Sequence, residues 1–281
     1  MGLSTLDVIQ VVDGLPAANE KVTAEHSWLA AGGPAAVAAI AFAALGGQAR
    51  LLTVLGAGAA AGVVRADLAA SGVEVLDAAP AGFALAASVA LVDSRTAERA
   101  VVSGSGHRPS SLVLEAAGDL TADVVLVDGH HPGLALEAAR RAAGAGTPVV
   151  MDAGSYKPVF DELWRSTTDV ICSADYVDPA GVEPRQLLAR GPRLVAVSRG
   201  GEPLLWWAGD SAGELEVPRV TAVDTLSAGD VLHGAYCFAL ADGRTRIDAL
   251  GFALRAASTK VTRLGPFAWR DALRGPRHES A

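Results

Sequence analysis

The run DTLSAGDVLHGAYCFAL, residues 224–240, sets two aspartates around a stretch of small residues just ahead of an apolar segment. Val231, Leu232, Ala235, Tyr236 and Ala239 recur at helical spacing, so a helix is expected to begin near Ala228 or Gly229. Ser227, Ala228 and Gly229 then lie on its first turn, where backbone N–H groups lack intrahelical acceptors and small side chains let an anion approach. Asp230 is held beside that anion. A carboxylate so placed can accept the proton of an attacking hydroxyl while the N–H groups hold transferred phosphoryl charge, as phosphoryl transfer requires. An isolated Asp at such a place would do no more than complement the helix dipole.

These residues need a scaffold to hold them. Apolar runs at 51–55 (LLTVL), 123–128 (DVVLVD), 148–152 (PVVMD), 169–172 (DVIC) and 194–197 (LVAV) read as buried parallel strands. Ala-rich helical stretches lie between them at 34–45, 60–71, 133–145 and 182–190. The alternation predicts a doubly wound α/β fold, a mostly parallel sheet with helices on both faces. Residues 8–30 and 83–103 break the rhythm with alternating, β-branched patterns and no helix between, which predicts a small antiparallel sheet acting as a lid. With no repeat or low-complexity linker, residues 1–281 are expected to form one domain whose final residues, RHESA, fray.

A chain of 281 residues, 51% hydrophobic, is large enough for a substantial core. Its 31 acidic against 23 basic residues leave a formal charge of −8, which argues against a nucleic-acid partner. Cys172 and Cys237 each sit in an apolar run, so neither a disulfide framework nor a metal-ligand spacing is expected, and a reducing cytoplasmic setting fits. No stretch reaches transmembrane length free of glycine or charge, and MGLSTLDVIQ lacks the layout of a secretory signal, so no membrane association is expected.

DTLSAGD closely resembles the D-T-x-G-A-G-D signature of the ribokinase-like (PfkB-type) carbohydrate kinases. The resemblance extends to the double-glycine segment AAGGPAAVAAIAFAALGG at 30–47 and to LDVIQVVDGLPAANEKV at 6–22. It implies an ATP-dependent kinase that phosphorylates a hydroxyl of a sugar or sugar-like small molecule. By this resemblance Asp230 is the catalytic base, Ser227, Ala228 and Gly229 form the anion hole, and Asp7, Gly32 and Gly33 hold sugar hydroxyls. ATP and Mg²⁺ are the implied cofactors, and a homodimer through the lid strands is the implied assembly, consistent with exposed lid edges.

The chain departs from the family pattern at several places. Val37 stands where the family has a sugar-binding Asn and offers no hydrogen bond. The N-x-x-E element that organises Mg²⁺ corresponds to Ser173–Ala174–Asp175–Tyr176, leaving Asp175 as the available carboxylate. Ser227 replaces a glycine, a strained choice if that position needs positive φ. Met1 aligns inside the family's first strand, so the expected start of that strand lies upstream. These departures also suit an alternative, a kinase-like sugar or nucleotide sensor of impaired catalysis.

LVAVSRGGEPLLWW at 194–207 resembles the family's nucleotide-facing strand–turn–strand, which gives Ser198 and Gly200, with Thr225, to the nucleotide, while Pro203 replaces a glycine. Asp224 resembles a residue that helps to bind a monovalent cation in some relatives. His130, in DGHHP at 128–132, follows a strand end that faces the ligand crevice of an open α/β sheet and is a candidate substrate contact. His107 and Arg108 read as solvated. A dinucleotide-binding reading of LLTVLGAGAAAG is weaker, because Gly56, Gly58 and Gly62 are spaced one residue too long and lie outside the first βα unit.

Overall fold

A computed structural model describes residues 1–104, 112 and 121–274. The first half runs β1 (Thr5–Val12), β2 (His26–Gly32), α1 (Pro34–Ala44), β3 (Ala49–Thr53), α2 (Ala59–Ala70), β4 (Val73–Asp77), β5 (Ala87–Asp93) and β6 (Arg99–Ser103). The second half runs β7 (Val125–Val127), α3 (Pro132–Gly144), β8 (Val149–Ala153), α4 (Phe160–Leu163), β9 (Asp169–Ser173), β10 (Leu194–Arg199), β11 (Glu202–Ala208), β12 (Ser211–Leu215), α5 (Ala228–Ala241), α6 (Arg246–Val261) and α7 (Arg270–Leu273). His107, Arg108 and the RHESA tail lie outside the described residues.

The body is a six-stranded sheet in the order β12-β11-β10-β9-β8-β7. From β7 to β10 all neighbours pair in parallel, while β11 and β12 extend the edge as antiparallel strands. Val149, Val150, Met151, Val170, Ile171 and Cys172 are fully buried, as expected of strands covered by helices on both faces. α1 is apolar on every side and packs against α5 at close range. A Cβ at Gly234 would stand 2.2 Å from the Ala38 carbonyl oxygen, so only glycine fits at this crossing.

Three expectations need correction. First, among the described residues β3 and β4 pair only with each other, so the parallel strands form two sheets rather than one. A cavity of about 730 Å³ separates β3 from β7, lined by residues including Met1, Phe42, Leu51, Leu126 and Cys237. The chain start bridges the two edges, with the Met1 amino group donating to the Leu126 carbonyl at 2.8 Å and Gly2 N–H to the Leu52 carbonyl at 3.1 Å. Burial pushes the pKa of that amino group down, against the pull of Asp128 and Cys237.

Second, the small sheet has the order β2-β1-β5-β6 and is mixed, since β1 and β5 pair in parallel. The chain passes through α1, β3, α2 and β4 before returning as β5, the long crossover that parallel pairing demands. No strand occupies 13–25, where Asn19 adopts φ 64°. Third, 182–190 is not an α-helix. Residues Pro184–Arg190 form a 3₁₀ helix, opened by a capping box between Glu183 and Gln186 and stopped by Gly191 at φ 135°.

The two faces of the small sheet differ. Ile9, Val11, Ala30, Ala90 and Val92 are buried on one side against Leu226, Leu264 and Phe267. On the other side Leu29, Val8, Val89 and Val102 stand opposite one another across four strands, with Leu29 58%, Val89 42% and Val102 74% exposed.

Candidate active site

α5 begins at Ala228, as its spacing predicts, and Ser227 precedes it in the left-handed region at φ 61°, ψ 15°. The turn before it is tied by Asp224, whose Oδ1 accepts the Leu226 N–H at 2.9 Å. Ala228 N–H reaches back to the Thr225 carbonyl at 3.3 Å, so this member of the expected anion hole is already engaged within the turn. Gly229 borders open space, since among the described residues a Cβ built there would meet nothing within 4 Å. N–H groups at such a helix start lack intrahelical acceptors and suit an anion.

Asp230 lies on the first turn of α5 and is half-buried. Burial, then the negative charge of Asp152, pushes its pKa up to about 6, against the opposing effects of His233, the Ser227 side chain and Arg99. Asp152 ends β8 and is held by the Gly154 N–H at 3.0 Å. His233, one turn beyond Asp230, sets Nδ1 2.7 Å from the Gly229 carbonyl, and Nε2 lies 3.6 Å from Asp152 Oδ1. The site thus holds a carboxylate tuned toward neutrality, where a general base is most effective.

Asp152, His233 and Arg99 escaped the sequence reading, although two carry a signal. Asp152 closes the apolar run PVVMD at the strand end that faces the crevice in open α/β sheets. His233 sits at i+3 from Asp230 and so shares its helix face. Arg99 begins β6 of the small sheet and comes near Asp230 only through the fold.

The expected sugar-binding residues meet on the small sheet. Asp7 lies on the same face of β1 as Ile9 and Val11, the face turned toward Leu226 of the signature. A Cβ at Gly32 would overlap the Asp7 carboxyl at 2.0 Å, so Gly32 makes the space that Asp7 occupies. Thr5 Oγ1 donates to Asp7 Oδ1 at 2.7 Å, and burial nevertheless pushes the Asp7 pKa up. Gly33, at φ 93°, passes so close to the Leu3 carbonyl that a Cβ would stand 2.6 Å from its oxygen. Val37, in contrast, is 4% exposed and packs in the main core.

Other expected residues are spread along the sheet ends. His130 follows β7, with Nδ1 3.2 Å from Asp128 Oδ1, and Asp128 in turn accepts the Leu3 N–H at 2.8 Å. Burial raises the Asp128 pKa, but its bonds to His130 and Leu3 prevail and leave it well below the usual carboxylate range. Ser198 Oγ donates to the Cys172 carbonyl at 3.3 Å, and Gly200 turns β10 into β11 at φ 63°. Thr225 Oγ1 donates to the Ala97 carbonyl at 2.8 Å, which joins the signature turn to the β5–β6 turn of the small sheet. Asp175 is exposed, its N–H on Ser173 Oγ at 3.1 Å. Among the described residues no group of three His, Cys, Asp or Glu side chains is close enough to hold a metal ion.

The strain at Ser227 can be measured. A non-glycine residue in this region costs about 1 kcal/mol, partly offset by the greater freedom of glycine in the unfolded chain. Ser227→Gly is expected to raise Tm by roughly 2 °C in a thermal melt, and to raise the pKa of Asp230 further by removing a side chain that lowers it. A fall in Tm would mean that the Ser227 side chain is worth more than the strain.

Comparison with known proteins places this fold and its signature turn. The family model described as "pfkB family carbohydrate kinase" matches residues 1–269, and the chain belongs to that family, whose members transfer phosphoryl groups to an alcohol acceptor. The chain is 26% identical to the ribokinase of Bacillus subtilis (strain 168) over 290 residues, covering 94% of this chain and 92% of that protein. The fold is shared with the ribokinase of Thermotoga maritima, at TM-score 0.76 and 21% identity over 96% of this chain and 93% of that one. It is shared too with the Arabidopsis thaliana ribokinase complexed with ribose and ATP, at TM-score 0.73 and 21% identity over 97% and 95%. No helix among the described residues is long and apolar enough to cross a membrane.

Proposed function

We propose that this carbohydrate kinase transfers the γ-phosphoryl group of ATP to a hydroxyl of a sugar or sugar-like small molecule, with Asp230 as general base. The observation that carries the reading is Asp230 itself, a carboxylate on the first turn of α5 with its pKa raised to about 6 beside the open space at Gly229. At neutral pH it is ionised and still basic enough to take a hydroxyl proton. Ser227 and Gly229 N–H groups stabilise the phosphoryl charge, with Ala228 contributing less because it is shared with Thr225. Asp7, with Gly32 and Gly33, holds sugar hydroxyls, and His130 lies at the neighbouring strand end. Ser198, Gly200 and Thr225 face the nucleotide.

ATP as donor is supported by the complex of the Arabidopsis relative. Mg²⁺ would neutralise phosphate charge on the nucleotide, with Asp175 after β9 and Asp152 at the end of the adjacent β8 as the candidate carboxylates to hold it, as expected of an ion that keeps few protein ligands. The small sheet acts as a lid that excludes water from the sugar within one ribokinase-like domain. Its outer apolar row supports a homodimer that pairs two lids. A cytoplasmic setting fits the two buried free cysteines.

The test is ATP consumption over a panel of ribose, ketoses, nucleosides and acidic sugars. Turnover is expected with at least one, and kcat should rise with pH through about 6 and then level, because protonated Asp230 cannot accept a proton. Sugar binding in a calorimeter without turnover on any member would instead identify a sensor.

A further inference from the structure

Asp224 opens the signature, and its resemblance to cation-binding residues implies a monovalent ion there. The structure places another positive charge on it. Lys260 Nζ, near the end of α6, donates to the Asp224 main-chain carbonyl at 2.8 Å and lies 3.0 Å from Asp224 Oδ2. The Lys260 and Asp224 side chains are 2% and 3% exposed. The remaining capacity of the carboxylate goes to protein N–H groups, Leu226 on Oδ1 at 2.9 Å and Gly265 on Oδ2 at 3.3 Å. A monovalent ion needs these same oxygens, and an ammonium with three N–H donors already engages them. The residues present therefore do not fit a resident ion at Asp224.

We propose that Lys260 is a built-in replacement for a monovalent cation, a positioning residue that fixes the signature turn and makes the enzyme independent of potassium. The connections run directly to the anion hole. Val261, the next residue on α6, accepts the N–H groups of Val223 and Asp224 at 2.8 and 3.3 Å, so the end of α6 grips the start of the signature by main chain and by charge. Asp224 passes that constraint through Leu226 N–H to Ser227, whose left-handed backbone launches α5. A neutral side chain at 260 leaves a buried carboxylate without its counter-charge, and the turn that carries Ser227 and Gly229 loses its anchor. In a small cavity at that place, a potassium ion could regain the lost contacts.

The functional half of this inference rests on the kinase reading above; the structural half does not. The purified protein is compared in about 100 mM KCl and about 100 mM choline chloride, by thermal melting and by ATP turnover. The wild-type Tm and kcat are expected to agree between the two salts. Lys260→Ala is expected to lose at least about tenfold in kcat with a smaller change in KM, and to regain part of both kcat and Tm in KCl but not in choline chloride. Lys260→Met, which fills the space without charge, should show the loss without the rescue, and it serves as the second variant if the alanine form does not fold. Activation of the wild type by KCl, a higher wild-type Tm in KCl, full turnover in Lys260→Met, or no rescue of a folded Lys260→Ala would each overturn the proposal. If the wild type turns over no sugar at all, the kinase reading fails, and the melting comparison still decides whether Lys260 takes the place of an ion.

Discussion

Asp230→Asn is expected to lower kcat by about 10²- to 10⁴-fold, the usual contribution of a general base, while sugar and ATP still bind. The amide keeps the shape of the carboxylate and its place on the first turn of α5, so loss of binding would point to misfolding rather than to missing chemistry. The same variant carries a second signature. Burial and Asp152 raise the folded-state pKa of Asp230 to about 6 from an ordinary value of 3.8. The stability this group contributes is therefore complete below the unfolded pKa and is lost as pH rises through about 6. At pH values above that window the wild type carries a poorly solvated charge, and Asp230→Asn should melt higher than the wild type; well below it the two should agree. A slow but more stable variant would separate a catalytic carboxylate from a structural one, and near-normal turnover would remove Asp230 from its role.

The second large effect is expected at the outer face of the lid. Leu29, Val89 and Val102 lie in one cross-strand row and are 58%, 42% and 74% exposed. Apolar surface of this kind, laid across four strands, is what two copies of the chain would bury against each other. Val89→Asp with Val102→Asp places two carboxylates side by side in the β5–β6 half of that row. Desolvating them at a dimer interface should cost at least about 3 kcal/mol, or more than a hundredfold in Kd. Light scattering after size exclusion is expected to show a wild-type dimer and a variant monomer at micromolar concentration. A wild-type monomer, or a variant that remains dimeric, would leave the row without this role. Because the opposite face of the sheet packs against Leu226 and Phe267, the substitutions leave the core contacts of the lid in place.

The parts of the fold that could be read from the chain are those in which one local property decides the outcome. Strands β8, β9 and β10 were legible because burial on both faces turns them into continuous apolar runs. The start of α5 at Ala228 followed from the spacing of Val231, Leu232 and Ala235. Pairing was harder. Nothing local distinguishes a parallel β1–β5 pair from an antiparallel one, and the separation of β3–β4 from the larger sheet depends on which edges meet. At 182–190 an apolar pattern of helical length resolved into a 3₁₀ turn, because Pro184 and Gly191 leave too few residues for a stable α-helix.

The same contrast runs through the site. Asp230, Ser227 and Gly229 were visible because they share one short segment with its helix. The closeness of Asp7 to Gly32 depends on the β1–β2 register, which pairs Thr5 with Gly32. That of Lys260 to Asp224 depends on the packing of α6 beneath the signature. Neither charge on Lys260 nor its position in the chain marks it as different from a surface lysine; only its burial does.

The bridge formed by the first two residues bears on any chain placed ahead of them. With the Met1 amino group enclosed and bonded to Leu126, any residues ahead of Met1 would begin their course inside the protein, between β3 and β7. Such residues would run between the β3 and β7 edges, which pair with no other described strand and whose N–H and C=O groups are open to a further strand.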